Sequence, residues 1–423
     1  MTFKKVALSI AASLTLAVPV VLAAPAGADT HEQHVLDQAA VVAVRAYLHA
    51  VDGLLLTRPV GVTSFPAFGL EQGESPASEA AKSQAAVGYE LAKADRFRAW
   101  AASHQDTYTS VSSVLNVETL TVSGSLASLS GKVETTMLWS SSATATDVTP
   151  GKQADIAKAR SEGRAFAPGE TVTSIVSAEH HFRLMQTGKG WKILSDAYLD
   201  PFEQGLASDH VTPRSPTRPA TNGTSTTAAP DPVRSAKASA TPTAESMLYD
   251  RGAAAAYADK YWNHYNRTYP NCNPAGGDCA NFVSQALWDP DAADFPIQAA
   301  WDPGDRSTCA ATTEAWRYTP TQHRFFIGNP LGSSYNFASL GAKGSASATR
   351  SYNISSMLRG DVIFYDWQSN GEIDHVTIAV AYAGDQSTLI DSHNADRYHT
   401  RWDYGTGSTT YYHDKFKDMI KVS

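Results

Sequence analysis

Cysteine is scarce in this chain. Only three occur in 423 residues, at Cys272, Cys279 and Cys309, all in the C-terminal half. An odd number cannot pair off completely, so one disulfide would leave one thiol. Positive charge is also in short supply: 34 Lys and Arg stand against 42 Asp and Glu, a formal net charge of −8. That balance argues against a nucleic-acid binder, which would show a basic face. Beyond the N-terminus no segment is long and apolar enough to cross a membrane, and no internal repeat is visible.

What is present fits folded, exported material. Hydrophobic residues make up 43% and charged residues 18%, enough apolar mass for real cores. Lys4-Lys5, the apolar run Val6 to Val21 and the small residues Ala26-Gly27-Ala28 read as a signal peptide cleaved after Ala28, with an uncleaved anchor as the alternative. The expected product is secreted and free of the membrane once the signal is removed. An oxidising compartment makes the odd cysteine informative. The expected pair is Cys272 with Cys309, leaving Cys279 free, although parity alone does not select it.

The expected divisions are residues 1–28 as signal peptide, 29–206 as an accessory α+β domain, 207–244 as a linker and 245–423 as a second α+β domain. In the first domain His31 to about Leu56 and Glu79 to about Ser103 read as helices, the former with Val35, Ala39, Val42, Ala43 and Ala46 at helical spacing. Tyr108–Ser123, Ala127–Trp139, Thr173–Met185 and Trp191–Tyr198 alternate as strands do, the last two across the turn Gln186 to Gly190. This order resembles the cystatin-like cones related to nuclear transport factor, which often hold a small ligand or serve as accessory modules. The Pro/Thr/Ser/Ala-rich stretch 207–244 has too little apolar mass to offset the entropy of ordering.

The chemistry is expected in the last domain. Ser246 to about Tyr265 reads as a helix. In "GGDCANFVSQALW", Cys279, Phe282, Val283, Ala286 and Leu287 share one helical face, and Asp278 is the natural N-cap. Cys279 then stands in the first turn, where free N–H groups and the helix dipole favour a thiolate and can later receive an oxyanion. A buried structural cysteine is the plainer alternative. Downstream, "RGDVIFYDW" (Arg359–Trp367), "IDHVTIAVAY" (Ile373–Tyr382) and "TLIDSHN" (Thr388–Asn394) read as three strands, with His375 near the start of the second and His393-Asn394 ending the third. Nucleophile, base and orienter in that order suit thiol-dependent acyl transfer.

The blocks "DCANFVSQAL", "RGDVIFYDW", "IDHVTIAVAY" and "SHNADR" resemble the amidase-like domain of secreted actinobacterial and Gram-positive proteins, within the papain-like set that includes NlpC/P60 and CHAP wall hydrolases. The resemblance covers roughly Glu245 to Ser423. It implies a papain-like fold, Cys279 as nucleophile and His375 as general base, with His393 or Asn394 as orienter and Asp391 ranked behind them. It also implies amide hydrolysis, with peptidoglycan peptides as the substrate class and no cofactor. The rivals are a catalytically silent wall-binding protein with a degenerate papain-like domain, and an acyl transferase of the same fold. Asn281 and Gln285 are expected to hydrogen-bond the fold. The histidines and aspartates of "HNADRYH" are not read as a metal site, because Arg397 would oppose a cation. Trp301, Trp316, Tyr365 and Trp367 are read as core before cleft, and the loop from Asp289 to about Thr349 as a cleft wall pinned by Cys309. Oligomeric state is not legible.

Overall fold

The computed structural model describes residues 30–56, 90–91, 93–144, 148–198, 200, 249–275, 277–289, 300–326, 348–351, 354–367, 372–404 and 416–422. The expected signal peptide, the linker 207–244 and much of the loop after Asp289 lie outside the described residues. The chain divides into two units: Met1–Ala143 with Pro168–Asp209, and Thr144–Ala167 with His210–Ser423. Residues 144–167, which the sequence reading groups with the first domain, thus belong to the second unit.

In unit 1, helix α1 (Thr30–Leu55) and a helical stretch α2 (93–103) accompany four strands: β1 (Asp106–Ser123), β2 (Leu126–Ser141), β3 (Val172–Thr187) and β4 (Gly190–Tyr198). The strands pair antiparallel in chain order, and β3 and β4 are joined by the two-residue turn Gly188-Lys189. The expected apolar stripe of α1 is misplaced. Its buried face is Ala40, Val44, Tyr47 and Leu48, packed on Leu115, Leu129, Val133, Phe182, Leu184 and Ile193, while Val35 and Val42 are exposed. Alanine and valine occur all round this helix, so its largest residues, Tyr47 and Leu48, decide which face turns to the sheet. Asp52 anchors the helix by accepting from Ser113 N at 2.8 Å. A small cavity of about 40 Å³ is lined by Tyr47, Lys93, His180 and Asp196 among others, with His180 Nδ1 2.8 Å from Asp196 Oδ1.

Unit 2 contains an antiparallel sheet in the order β9-β8-β7-β6-β10-β5: β5 (Ala348–Ser351), β6 (Val362–Tyr365), β7 (His375–Tyr382), β8 (Thr388–Ser392), β9 (Asp396–Arg401) and β10 (Phe416–Val422). Every residue of β6, β7 and β8 is buried. Helix α4 (Arg251–Tyr261) starts where the Asp250 carboxylate accepts from Ala253 N at 3.0 Å, and it packs on β7 and β8. Helix α5 (Cys279–Trp288) also lies on β7.

The inserted segment is built into this unit. Its helix α3 (Pro150–Ser161) is capped by Thr149, and Ile156, Ala159 and Ala165 cluster with Tyr382. Phe166 N donates to Tyr382 O at 3.0 Å, and Tyr382 N to Arg164 O at 2.9 Å. Arg359, fully buried, donates from Nη2 to Asp155 Oδ1 at 2.9 Å and also pairs with Glu162. Tyr382 OH donates to Asp155 Oδ2 at 2.6 Å. Burial alone would raise the Asp155 pKa, but the bonds from Arg359 and Tyr382 outweigh it and hold the carboxyl below the usual range.

Removing one member of a buried ion pair leaves the other uncompensated. Arg359→Leu is therefore expected to destabilise unit 2 by roughly 3–5 kcal/mol, measured by denaturant unfolding of the full chain. A loss below about 1 kcal/mol, the range of an exposed pair, would show that the segment does not brace the sheet.

Candidate active site

Cys272 and Cys309 form a disulfide, and Cys279 is the free cysteine, as the sequence reading expected. Cys279 opens α5, with its sulfur buried. Sγ lies 3.2 Å from Thr319 Oγ1, a residue of the short helix α7 (Thr319–Phe326), which follows α6 (Glu314–Arg317). Burial pushes the thiol pKa up, opposed by the Thr319 hydroxyl and the N–H groups of Val376 and Ala280; the Asp278 carboxylate adds to the rise. The thiolate expected from a helix N-terminus is thus not the resting form. Desolvation of the charged sulfur outweighs the N–H groups that favour it.

The Val376 contact fixes the place of the sulfur: it sits against the strand residue that follows His375. His375 begins β7 and is buried, its ring 6.1 Å from that of Tyr365. Register pairs Tyr365 with His375 and Phe364 with Val376, so alternation puts His375 and Val376 on opposite faces. Burial, and then the charge of Arg397, lower the His375 pKa from 6.5 to about 3. The imidazole is therefore neutral at ordinary pH, and its burial opposes protonation.

The two candidate orienters go to the head of α5. His393 Nδ1 lies 2.6 Å from Asp278 Oδ2, and Nε2 lies 2.7 Å from Tyr261 O. Asn394 Oδ1 accepts from Asp278 N, and its Nδ2 donates to Asn273 Oδ1 at 2.6 Å. Asn394 and Ala395 have φ of 64° and 98°, which ends β8 and turns the chain towards Asp278. Gly277, at φ 140°, lies under the Asn394 amide in a backbone state that side chains resist. Asp391 is elsewhere: its Oδ1 accepts from His399 N at 2.8 Å, and burial followed by the charge of Asp259 raises its pKa well above the usual range.

Asp278 does not cap α5 with its side chain. Its Oδ1 accepts instead from Cys272 N at 2.7 Å and from Asn281 Nδ2 at 2.8 Å. Asn281 and Gln285 serve the fold: Trp316 Nε1 donates to Asn281 Oδ1 at 2.8 Å, and Tyr257 OH to Gln285 Oε1 at 2.8 Å. Trp301, Trp316 and Tyr365 are fully buried. Thr319 was missed because it lies in a stretch without clear periodicity, and so was His323, one turn later, whose ring is 5.0 Å from that of Phe364.

Asp259, Asp391 and His399 bring ligand-type atoms within 4.8 Å of one another. Arg164 Nε already donates to Asp259 Oδ2 at 2.8 Å, and His399 Nε2 lies 3.0 Å from Asp259 Oδ1, so positive charge there comes from the protein.

With this geometry in place the comparisons become informative. Residues 248–414 match the family model described as "Putative amidase domain". The matched span lies within unit 2. A distant homologue, the uncharacterized protein YhbB of Bacillus subtilis (strain 168), is 29% identical over 163 residues, 38% of this chain and 47% of that protein. The chain thus spans about half the length of the curated relative it matches. The intermembrane space region of the chloroplast protein ARC6 is 18% identical and covers 26% of this chain and 68% of its own, at a TM-score of 0.16 too low to bear on the fold. Among the described residues, no helix is long and apolar enough to cross a membrane.

The depressed pKa of His375 makes stability depend on pH. The folded state resists protonating this ring, so its contribution is complete above pH 6.5 and is lost as pH falls towards about 3. Wild type is expected to lose up to about 1.4 kcal/mol per pH unit more than His375→Gln between those limits, read from urea unfolding at a series of pH values. Parallel curves would show that the ring is not buried in its neutral form.

Proposed function

We propose that unit 2 is a cysteine-dependent amidase acting outside the cytoplasm. The observation that carries this reading is the free thiol of Cys279 at the first turn of α5, 3.2 Å from Thr319 Oγ1 and near the N–H groups of Ala280 and Val376. The match to the amidase family and the disulfide, which is compatible with an oxidising compartment, support it.

In this reading Cys279 rests as a neutral thiol and His375 as a neutral imidazole. A preformed ion pair is disfavoured in so dry a site, so the proton leaves Cys279 as the sulfur attacks the amide carbon. In the proposed sequence His375 takes that proton and the carbonyl oxygen gains negative charge. The tetrahedral adduct collapses to a thioester as the imidazolium returns a proton to the leaving amine. Water, deprotonated by the same ring, then releases the acid and regenerates the thiol. N–H groups around the first turn are suited to the oxyanion, where each such donor is worth about 3–4 kcal/mol. The substrate class we favour is the peptide or cross-bridge amides of peptidoglycan.

The test is digestion of purified peptidoglycan with wild type, Cys279→Ala, His375→Ala and His323→Ala, with new termini identified by mass spectrometry. Wild type should release new carboxyl and amino ends, and the first two variants should lose at least about a hundred-fold, the lower range of general-base effects, while His323→Ala remains active. Full activity of Cys279→Ala would sink the cysteine reading. Release only when an amine acceptor is present would identify a transferase.

A further inference from the structure

Two consecutive residues, His393 and Asn394, both grip Asp278, one by its carboxylate and the other by its backbone N–H. Their placement bears on Cys279 itself, the next residue in the chain.

The hydrogen bonds around His393 fix its protons. Tyr261 O can only accept, so Nε2 at 2.7 Å must carry a hydrogen. If Nδ1 were bare, its lone pair would face the Asp278 carboxylate at 2.6 Å, a repulsive contact. A proton therefore lies between them. Asp278 Oδ1 already accepts from Cys272 N at 2.7 Å and Asn281 Nδ2 at 2.8 Å, two bonds that favour the ionised carboxylate and leave the proton on nitrogen. The ring is enclosed as a cation would be, with Phe282 stacked at 4.0 Å and Tyr265 at 4.2 Å.

We infer that His393 is a positioning residue for the nucleophile: a buried imidazolium that neutralises Asp278 and fixes the first turn of α5, on which Cys279 stands. The role assigned to Cys279 rests on the amidase reading; the charge state of His393 does not. The titratable groups against the ring are Asp278 at the head of α5 and Tyr265 in the loop after α4, and Tyr265 in turn feels Asp396 on β9 and Cys279. Burial, then Asp396 and Asp278, raise the Tyr265 pKa and keep its hydroxyl neutral, so Asp278 is the carboxylate in contact with the ring. Without the imidazolium, the Asp278 charge would oppose ionisation of the neighbouring sulfur. With it that opposition is reduced, and desolvation remains the main effect set against the N–H groups of Ala280 and Val376.

The experiment is the pH profile of Cys279 alkylation by iodoacetamide in the full chain, for wild type, His393→Gln, Asp278→Asn and the double variant. His393→Gln should move the profile to higher pH, and alkylation at neutral pH should slow about ten-fold for every pH unit the profile moves. The double variant should recover towards the wild-type rate, because both charges are gone although no hydrogen bond is restored. A double variant no faster than His393→Gln, or a His393→Gln profile that coincides with wild type, overturns the inference. Should the variants not fold, nitrogen-15 NMR of histidine-labelled wild type reads the same state. The imidazole assigned by proximity to Phe282 and Tyr265 should show both nitrogens protonated at neutral pH, as its two hydrogen bonds require. A singly protonated ring there refutes the inference whether or not Cys279 is a nucleophile.

Discussion

A buried carboxylate needs hydrogen-bond partners for its lone pairs, and at Asp278 both oxygens find them. Its partners come from the disulfide-bonded loop (Cys272 N), from its own helix (Asn281) and from the turn beyond β8 (His393 and Asn394). Segments far apart in sequence thus converge on the residue before Cys279. The position of the sulfur follows from electrostatic necessity as much as from apolar packing. The remaining side of α5 is held by a second polar set: Gln322 Nε2 donates to Ala280 O at 2.9 Å and to Ser284 Oγ at 2.7 Å, and Ser284 Oγ donates to Trp316 O at 2.8 Å.

The same constraint operates at Arg359. A guanidinium with no exposed surface cannot shed its charge, so it needs acids, and both come from the segment 144–167. Arg359 leads into β6, the strand paired with the start of β7 where His375 sits. The brace and the candidate base are therefore linked through one sheet. The span matched by the amidase family begins at residue 248 and omits the brace. For this chain, the folded unit is larger than the recognised domain.

Much of this was legible in the sequence. Long alternating segments gave the four strands of unit 1 within one or two residues, and the cysteine parity together with the helix motif left Cys279 free. What escaped has identifiable causes. The helix Pro150–Ser161 presents only Ile156 and Ala159 as buried apolar residues, and its partners lie some two hundred positions later, so no local period reveals it. His393 and Asn394 were recognised as functional residue types, but strand parity could not foresee that β8 stops at Ser392 and that two left-handed residues swing them to Asp278. The face of α1 was misjudged because many small apolar residues give a helix several equivalent stripes.

Burial also decides the chemistry. An exposed cysteine beside an exposed histidine gains from a standing ion pair, since water solvates both charges. Cys279 and His375 have no such solvent, and each is shifted towards its neutral form. In the proposed amidase reading, charge would then appear only as the reaction proceeds, on the attacked carbonyl oxygen and on the imidazole, where dipoles already in place would meet it. Fixed N–H groups at the head of a helix are suited to this because they need no reorganisation when the charge develops. A neutral thiol at Cys279 and a neutral ring at His375 are two consequences of one dry interior.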